Sequence, residues 1–283
     1  DPPADGAGPG TFTPLTFPDT AGLPREALDI EPTLVAYPTF DGRQVPAWLY
    51  LPTRRPAEPL PFVVSYHGGP SAQERPGFHA ERAYLLSLGF AVLAPNVRGS
   101  TGYGRAYRDL DDGPKRMDAV KDGKAAVDWL VAQGLADPAR VAAMGGSYGG
   151  FMVLALLTEY PATFAAGVDV VGIANFETFL ERTRGYRRAN RESEYGPLSD
   201  RALLRSISPI HKVDRIRAPL LIGHGENDPR VPVSEARQIE AALKARGSPV
   251  EAVYFKDEGH GFSQKSNRRA WTRKLGAFLL RTL

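Results

Sequence analysis

One serine stands at the centre of the glycine-rich run Gly-Gly-Ser-Tyr-Gly-Gly at residues 145–150. A short apolar segment precedes this run and a longer one follows it, which predicts a strand, a sharp turn and a buried helix. Such a turn presents the serine hydroxyl as a nucleophile, and a Cβ at Gly145 or Gly149 would collide with the neighbouring chain. A serine that only caps a helix is the alternative. The strand, the helix and the glycines together favour Ser147 as a catalytic nucleophile.

The chain has five histidines that could act as the general base beside this serine. In this arrangement a carboxylate and then a histidine follow the serine along the chain, each on the loop after a later strand. His260 meets this order, and the glycines on either side of it let a loop present its ring closely. We expect His79 and His211 to be exposed, and His224 to pack or hydrogen-bond at a strand end.

Two carboxylates, Glu226 and Asp228, compete for the position between the serine and His260. Asp257 and Glu258 are disfavoured because they lie on the same loop as the histidine. We choose Asp228 as the acid. In this assignment His260 takes the serine proton and returns it to the leaving group, while Asp228 fixes the histidine tautomer and stabilises the imidazolium.

A tetrahedral intermediate needs preorganised N–H donors for its oxyanion, and each donor lowers the barrier by about 3–4 kcal/mol. The backbone N–H of Tyr148, directly after the nucleophile, is one expected donor. The second is expected from the run His-Gly-Gly-Pro at 67–70, which follows an early strand. Because Pro70 has no N–H, Gly69 is the best donor in that run.

From about Thr33 onward, short apolar segments alternate with amphipathic ones. Those with strand character span Thr33–Tyr37, Val45–Leu51, Pro61–Tyr66, Gly89–Ala94, Val141–Met144, Ala166–Val171, Leu220–Gly223 and Val250–Phe255. Those with helix character span Met117–Ala132, Phe151–Thr158, Ser234–Arg246 and Asn267–Leu283. The Asp41-Gly42 pair predicts a turn between the first two strands. The alternation predicts an α/β fold: a mostly parallel twisted sheet with helices on both faces and an antiparallel hairpin at one edge.

Composition argues against several classes of site and partner. The chain has no cysteine, which removes disulfides, thiol nucleophiles and thiolate metal sites. The net charge is +3, and we interpret the densest basic cluster, Arg182–Arg191, as a solvated face, so no nucleic-acid partner is expected. No apolar run approaches the roughly 18 residues of a membrane span, and no His-Glu-x-x-His or comparable cluster indicates a metal. We expect a cytoplasmic protein with no membrane partner.

Several motifs, taken in order, resemble the catalytic domain of the prolyl oligopeptidase family of serine peptidases, and most of all its acylaminoacyl-peptidase and dipeptidyl-aminopeptidase-like branch. They are the runs at 67–70, 96–104 and 145–150, the pair Ser208-Pro209, and the runs at 227–232 and 259–262. The resemblance extends from about Pro32 to the end of the chain. It implies an α/β-hydrolase fold and hydrolysis of short peptides or N-acylated aminoacyl substrates, with no metal or organic cofactor.

The resemblance also implies three substrate-binding residues. Arg230, just after the chosen acid, is implied to hold a backbone carbonyl of the substrate, and a surface arginine after a turn is the alternative. The segment 171–180 is similar to the specificity-pocket wall of the family. This similarity implies that Phe176 and Phe179 line the pocket for the residue before the scissile bond, although an aromatic pair at this spacing is also typical of a core.

Residues 1–24 are rich in proline and glycine and lack periodicity, which indicates a linker or the remnant of a preceding β-propeller. Members of the family carry such a propeller before the catalytic domain. We therefore expect an α/β-hydrolase catalytic domain over residues 25–283, in either a fragment of a longer enzyme or a propeller-free relative. The sequence leaves a homo-oligomer open.

Two other functions compete with a peptidase. A carboxylesterase would use the same catalytic residues with a pocket for esters, so amide hydrolysis distinguishes the two. Arg230 and the family motifs favour the peptidase. A non-catalytic α/β-hydrolase scaffold is disfavoured because Ser147, His260 and the glycines are all present.

Overall fold

The computed structural model describes residues 30–53 and 59–283, together with residues 13, 15 and 16. The predicted linker at 1–24 therefore lies outside the described residues apart from those three. The strands are β1 (Thr33–Pro38), β2 (Gln44–Tyr50), β3 (Leu60–Tyr66), β4 (Ala91–Pro95), β5 (Ala136–Gly146), β6 (Ala166–Val170), β7 (Leu220–Gly225) and β8 (Val250–Phe255). The α-helices are α1 (Ala80–Ser87), α2 (Arg105–Arg108), α3 (Arg116–Ala132), α4 (Tyr148–Glu159), α5 (Phe176–Arg182), α6 (Tyr186–Tyr195), α7 (Arg201–Ile207), α8 (Ser234–Ala245) and α9 (Lys265–Thr282). Short 3-10 helices span Asp109–Asp111, Gly113–Lys115 and Pro209–Arg215.

The strands form one sheet in the order β1-β2-β4-β3-β5-β6-β7-β8. β1 and β2 pair antiparallel around the turn at Asp41-Gly42, where Gly42 has a φ of 78°. β2 also pairs antiparallel with β4, and the remaining pairs are parallel. These pairings confirm the predicted mostly parallel sheet with an antiparallel hairpin at one edge. Because parallel strands end at the same edge, the loops after β3, β5, β7 and β8 meet there.

Helices cover both faces of the sheet, as parallel strands that are apolar on both sides require. On one face, α3, α4 and α8 pack on the strands through core residues such as Val127, Leu154 and Ile239. On the other face, α1 and α9 pack through residues such as Leu85 and Phe278. The helix α4 is buried along most of its length, as its uniformly apolar sequence predicts. No helix within the described ranges is both long and apolar enough to cross a lipid bilayer.

Two features of the fold differ from the sequence analysis. β5 begins at Ala136 rather than Val141, because Ala136 pairs with Leu60 across a register shift between β3 and β5. The helices α1, α2 and α5 to α7 had no predicted counterpart. In α6 the sequence is polar on most sides and Tyr195 is its buried residue, so periodicity carries little signal there.

Candidate active site

Loops from separate strands bring four of the predicted site residues to one cavity of about 90 Å³. Ser147 follows β5, His260 lies on the loop after β8, and Gly69 lies on the loop after β3. All three line the cavity, and we call them its catalytic wall. Arg230, on the loop between β7 and α8, lines the same cavity.

The turn between β5 and α4 holds Ser147 in a strained backbone conformation. Its φ is 60° and its ψ is −117°, a region that non-glycine residues rarely occupy. The Ser147 N–H donates to the Val170 carbonyl at 2.8 Å, which fixes the turn against β6. A Cβ at Gly145 would lie 2.4 Å from the Gly149 carbonyl oxygen, and one at Gly149 would lie 2.1 Å from the Tyr66 carbonyl oxygen. These distances confirm the predicted collisions and explain the glycines.

His260 and Asp228 form a hydrogen-bonded pair. Nδ1 of His260 lies 2.7 Å from Oδ2 of Asp228. The other carboxylate oxygen accepts from the backbone N–H groups of Arg230 and Val231, at 2.7 and 3.0 Å. Burial raises the pKa of Asp228, but the bond from His260 and the two backbone N–H groups outweigh burial and hold this pKa below its ordinary value. The charged carboxylate therefore keeps the proton on Nδ1 and the lone pair on Nε2.

Two other carboxylates considered for the acid have different partners. Glu226 pairs with Arg237 at 2.8 Å. Glu258 is buried and accepts from the backbone N–H groups of Ser263 and Gln264, at 2.9 and 2.8 Å. Although burial raises the pKa of Glu258, these hydrogen bonds hold it at about 2. Glu258 therefore shapes the histidine-bearing loop instead of pairing with the histidine.

His224, His79 and His211 have the surroundings predicted from the sequence. His224 is fully buried, and its Nε2 lies 3.0 Å from the Val231 carbonyl oxygen. Burial lowers the pKa of His224, which keeps it neutral in this position. His79 and His211 are exposed. Among the described residues, no group of three or more histidine, aspartate or glutamate side chains is arranged to hold a metal ion.

The glycine loop after β3 packs directly against the nucleophile turn. A Cβ at Gly68 would lie 3.5 Å from the Ser147 Cβ. The ring nitrogens of His67 lie 2.7 Å from the Gly68 carbonyl oxygen and 2.8 Å from the Ser100 hydroxyl. Since Ser100 belongs to the motif at 96–104, that motif holds the glycine loop in place through its contact with His67. This support is a role that the sequence analysis did not assign to the motif.

Tyr148 has a side chain in a buried network beneath the turn. Its hydroxyl donates to Asp111 at 3.1 Å, and Asp111 forms a buried ion pair with Arg116. Arg116 also donates to the Glu194 carbonyl at 2.7 Å, which ties α6 to this network. Because Tyr148 is the first residue of α4, its backbone N–H has no intrahelical acceptor and is available beside Ser147.

The opposite side of the cavity is formed by α5, α6 and the segments beside them, and we call it the substrate wall. Its uncharged lining residues are Ile173, Phe179, Thr183, Tyr195 and Val231. Phe179 belongs to this wall and is 2% exposed, and its contact with a substrate side chain stays a prediction. Phe176 lies behind it and is fully buried, with ring centroids 5.0 Å from Phe151 and 4.5 Å from Tyr195. The prediction that Phe176 lines the pocket is wrong, because rings from α4 and α6 enclose it.

The helix α6 brings two arginines into the substrate wall. Arg187 and Arg191 both line the cavity. Arg191 donates to the Gly69 carbonyl at 3.2 Å and pairs with Glu194, so it spans the cavity toward the catalytic wall. The interpretation of residues 182–191 as a solvated face is wrong for these two arginines. The basic run is visible in the sequence, but arginines on one side of a polar helix are typical of an exposed face and do not by themselves indicate a cavity.

Comparisons with known proteins agree with this geometry. The sequence profile of the prolyl oligopeptidase family matches residues 76–283, and that of acetyl xylan esterase (AXE1) matches residues 27–119. The chain is 36% identical over 276 residues to dipeptidyl aminopeptidase BIII of Pseudoxanthomonas mexicana, a match that covers 92% of this chain and 40% of that protein.

Two solved structures are also similar. A puromycin-hydrolyzing peptidase of Mycobacterium tuberculosis matches with a TM-score of 0.86 and 33% identity, over 93% of this chain and 41% of the other. The acylaminoacyl peptidase of Pyrococcus horikoshii matches with a TM-score of 0.81 and 25% identity, over 90% and 42%. The chain thus spans about 40% of the length of these relatives. By its profile match and its relatives, the chain belongs to the prolyl oligopeptidase family.

Proposed function

We propose that this chain is a serine peptidase that hydrolyses short peptides or N-acylated aminoacyl substrates through an acyl-enzyme on Ser147. The proposal rests on one observation: Ser147, in a strained backbone conformation, and His260, hydrogen-bonded to Asp228, line the same cavity. Each stands on a loop after a parallel strand, where α/β proteins bind ligands. The names of relatives, which include a dipeptidyl aminopeptidase and an acylaminoacyl peptidase, support peptide substrates.

His260 is the general base in this mechanism. With Nδ1 bonded to Asp228, the lone pair on Nε2 accepts the proton of the Ser147 hydroxyl. The serine oxygen attacks the scissile carbonyl, and His260 then gives the proton to the leaving group. Water activated by His260 hydrolyses the acyl-enzyme and restores the serine. Asp228, kept ionised by its three hydrogen bonds, stabilises the imidazolium throughout.

The backbone N–H groups of Tyr148 and Gly69 are the proposed donors to the oxyanion. Tyr148 supports this role because it begins α4, whose dipole also favours negative charge at that point. Gly69 supports it because it lines the cavity beside the nucleophile. Two preorganised donors of this kind act only as charge develops, which lowers the barrier rather than tightening substrate binding.

Arg230 and Phe179 are the proposed substrate-binding residues. Arg230 is exposed at the edge of the cavity, and its guanidinium forms no ion pair with a described residue, so it has free donors for a substrate carbonyl. Phe179, Ile173 and Val231 line the cavity and are each 2% exposed, so the apolar surface that they offer to the side chain before the scissile bond is small.

A carboxylesterase is the second candidate, because the acetyl xylan esterase profile matches residues 27–119. That stretch ends before Ser147 and contains neither Asp228 nor His260, so it concerns the first strands of the fold and not the reacting groups. A non-catalytic scaffold is disfavoured, since serine, histidine and carboxylate are all present and arranged around one cavity.

The proposal is tested by comparing wild type and Ser147→Ala on N-acetyl-aminoacyl anilides and on matched p-nitrophenyl esters. We expect anilide hydrolysis by the wild type and its loss in the variant. Ester hydrolysis without anilide hydrolysis would favour the esterase, because an ester has the better leaving group. Anilide hydrolysis that persists in Ser147→Ala would contradict the proposal.

The proposal includes a β-propeller in the full protein, supported by the chain's spanning about 40% of its relatives' length. A homo-oligomer and a cytoplasmic location stay predictions from the sequence.

A further inference from the structure

We propose that Arg187, together with Arg191 and Arg230, makes the cavity a binding site for a carboxylate of the substrate. The inference rests on the proposed function, because it specifies the substrate class of the same site. That class is peptides or acylated amino acids with a carboxylate beside the scissile bond. The carboxylate comes either from an acidic side chain or from a free C-terminus.

The first observation is an imbalance of charge in the cavity. Three guanidinium groups line it, and within the described residues no carboxylate does. Two carboxylates lie just outside the lining, Glu194 paired with Arg191 and Asp228 paired with His260. Because Glu194 pairs with Arg191 and Asp228 is bonded to His260, Arg187 and Arg230 are two cations without an ion-pair partner among the described residues. A partly enclosed cation of this kind is stabilised by an anion that enters the cavity.

Arg187 is one of two guanidinium groups in the cavity with free hydrogen-bonding capacity, the other being that of Arg230. Its Nη1 reaches the Pro229 carbonyl oxygen at 3.5 Å, the outer limit of a hydrogen bond, and it forms no ion pair in the described part of the chain. The neighbouring Arg188 is used differently, since it donates to the carbonyls of Thr183 and Glu181 at 2.9 Å each. Arg187 therefore faces the cavity with most of its five N–H donors unused.

The helix α6 holds these donors in a fixed place. Arg187 and Arg191 are one helical turn apart and lie on the same side of α6. Arg191 is bonded to the Gly69 carbonyl, and the end of α6 is bonded to Arg116 through the Glu194 carbonyl at 2.7 Å. An arginine on a fixed helix has its backbone in place before a substrate binds, and its planar fork matches the two oxygens of a carboxylate.

The uncharged residues of the substrate wall lie beside the arginines and can contact the apolar part of an acidic side chain. Phe179 and Val231 are each 2% exposed, and their exposed edges can contact the methylene groups of a glutamate while its carboxylate reaches the arginines. A glutamine of the same shape fills the same space but offers one neutral oxygen. Discrimination between the two therefore measures the charge interaction and not the fit of the cavity.

The test compares kcat/KM for N-acetyl-Glu and N-acetyl-Gln p-nitroanilides. We expect the wild type to prefer the glutamate substrate by about 10- to 100-fold, in line with a charge-assisted hydrogen bond. In Arg187→Gln the preference should fall below about 3-fold. Arg184→Gln is the matched control, since Arg184 is exposed and lies outside the cavity lining, and it should keep the wild-type preference. The ratio within one variant is independent of how much enzyme is folded.

A second pair of substrates distinguishes the two sources of the carboxylate. N-acetyl-dialanine and its C-terminal amide differ in the free carboxylate, and product formation gives their relative rates. A preference for glutamate assigns the site to an acidic side chain, and a preference for the free acid assigns it to the C-terminus. Either preference must be lost in Arg187→Gln.

Two results would overturn the inference. One is the absence of any charge preference in an enzyme that still hydrolyses esters and is still labelled at Ser147, which would leave the proposed function intact. The other is a preference that survives in Arg187→Gln, which would assign the carboxylate to another group. Absence of both turnover and labelling in the wild type would overturn the proposed function and this inference with it.

Discussion

The catalytic wall and the substrate wall enclose the same cavity but are positioned by different kinds of contact. On the catalytic wall each residue lies on a tight turn next to a strand, and backbone contacts of nearby glycines fix the turn. On the substrate wall, α5 and α6 are held by side chains far away in the sequence. Glu235 of α8 accepts from the Asn175 N–H at 2.8 Å, and Arg116 of α3 donates to the Glu194 carbonyl at 2.7 Å.

This difference separates the chemistry of the site from its specificity. The reacting groups depend on contacts that leave almost no room for change, because Gly149 and Gly145 meet backbone atoms directly. The substrate wall depends on single side-chain hydrogen bonds, each worth about 1 kcal/mol. We therefore expect substitutions in α5 and α6 to alter substrate choice while the nucleophile turn stays intact.

The largest expected effect is on the catalytic wall. In His260→Ala, kcat/KM for an activated ester should fall by about 10³-fold, because general acid–base transfer is lost. Steady-state kinetics with matched protein concentrations measure the change. His79→Ala is the control, since this side chain is 58% exposed, and it should act like the wild type. A loss of less than about 10-fold in His260→Ala would assign the base to another group.

The next effect compares two glycines of the nucleophile turn. In Gly149→Ala the new Cβ would lie 2.1 Å from the Tyr66 carbonyl oxygen, so we expect the free energy of unfolding to fall by about 3 kcal/mol. In Gly146→Ala the nearest atom is the Val170 carbonyl oxygen at 3.7 Å, and the change should stay within about 0.5 kcal/mol. Urea denaturation measures both. Equal losses in the two variants would contradict the account of the turn.

The smallest effect is a pH dependence of stability that comes from the substrate wall. Burial raises the pKa of Glu235 to about 7, although it accepts hydrogen bonds from the Asn175 N–H and the Thr178 hydroxyl. Because the folded pKa is above the unfolded one, Glu235 contributes full stability below pH 4.5 and loses it as pH rises toward 7.

Between pH 5 and pH 8 the wild type should therefore lose about 2 kcal/mol more than Glu235→Gln, which has no proton to release. Urea denaturation of both proteins at the two pH values gives this difference directly. Parallel stability profiles for the two proteins would show that Glu235 does not titrate in this range. A steeper loss in Glu235→Gln would contradict a folded-state pKa of Glu235 above the unfolded one.

The catalytic wall could be predicted from the sequence because its turns are set by residues close together in the chain. The turn around Ser147, the pairing of Asp228 with His260 and the parallel sheet follow from glycine positions, strand order and short-range pattern. Glu226 and Asp228 could not be separated by the order of residues alone. The backbone N–H groups of Arg230 and Val231, which fix the Asp228 carboxylate, distinguish them in the structure.

The residues that line the substrate wall could not be predicted from the sequence pattern. Phe176 and Phe179 are three residues apart in α5, and nothing in that spacing says which ring is enclosed by Phe151 and Tyr195. The arginines of α6 point into the cavity because distant groups orient the helix. The sequence of α6 places Arg187, Arg188 and Arg191 on one side, but charged side chains ordinarily face water, so this pattern does not show that the side faces a cavity.

Covalent labelling by a fluorophosphonate, followed by identification of the modified peptide, tests directly whether Ser147 is the nucleophile. We expect one modified residue, Ser147, with no labelling in Ser147→Ala and labelling slower by about 100-fold or more in His260→Ala. Modification of another residue would contradict this assignment, as would labelling of His260→Ala at the wild-type rate.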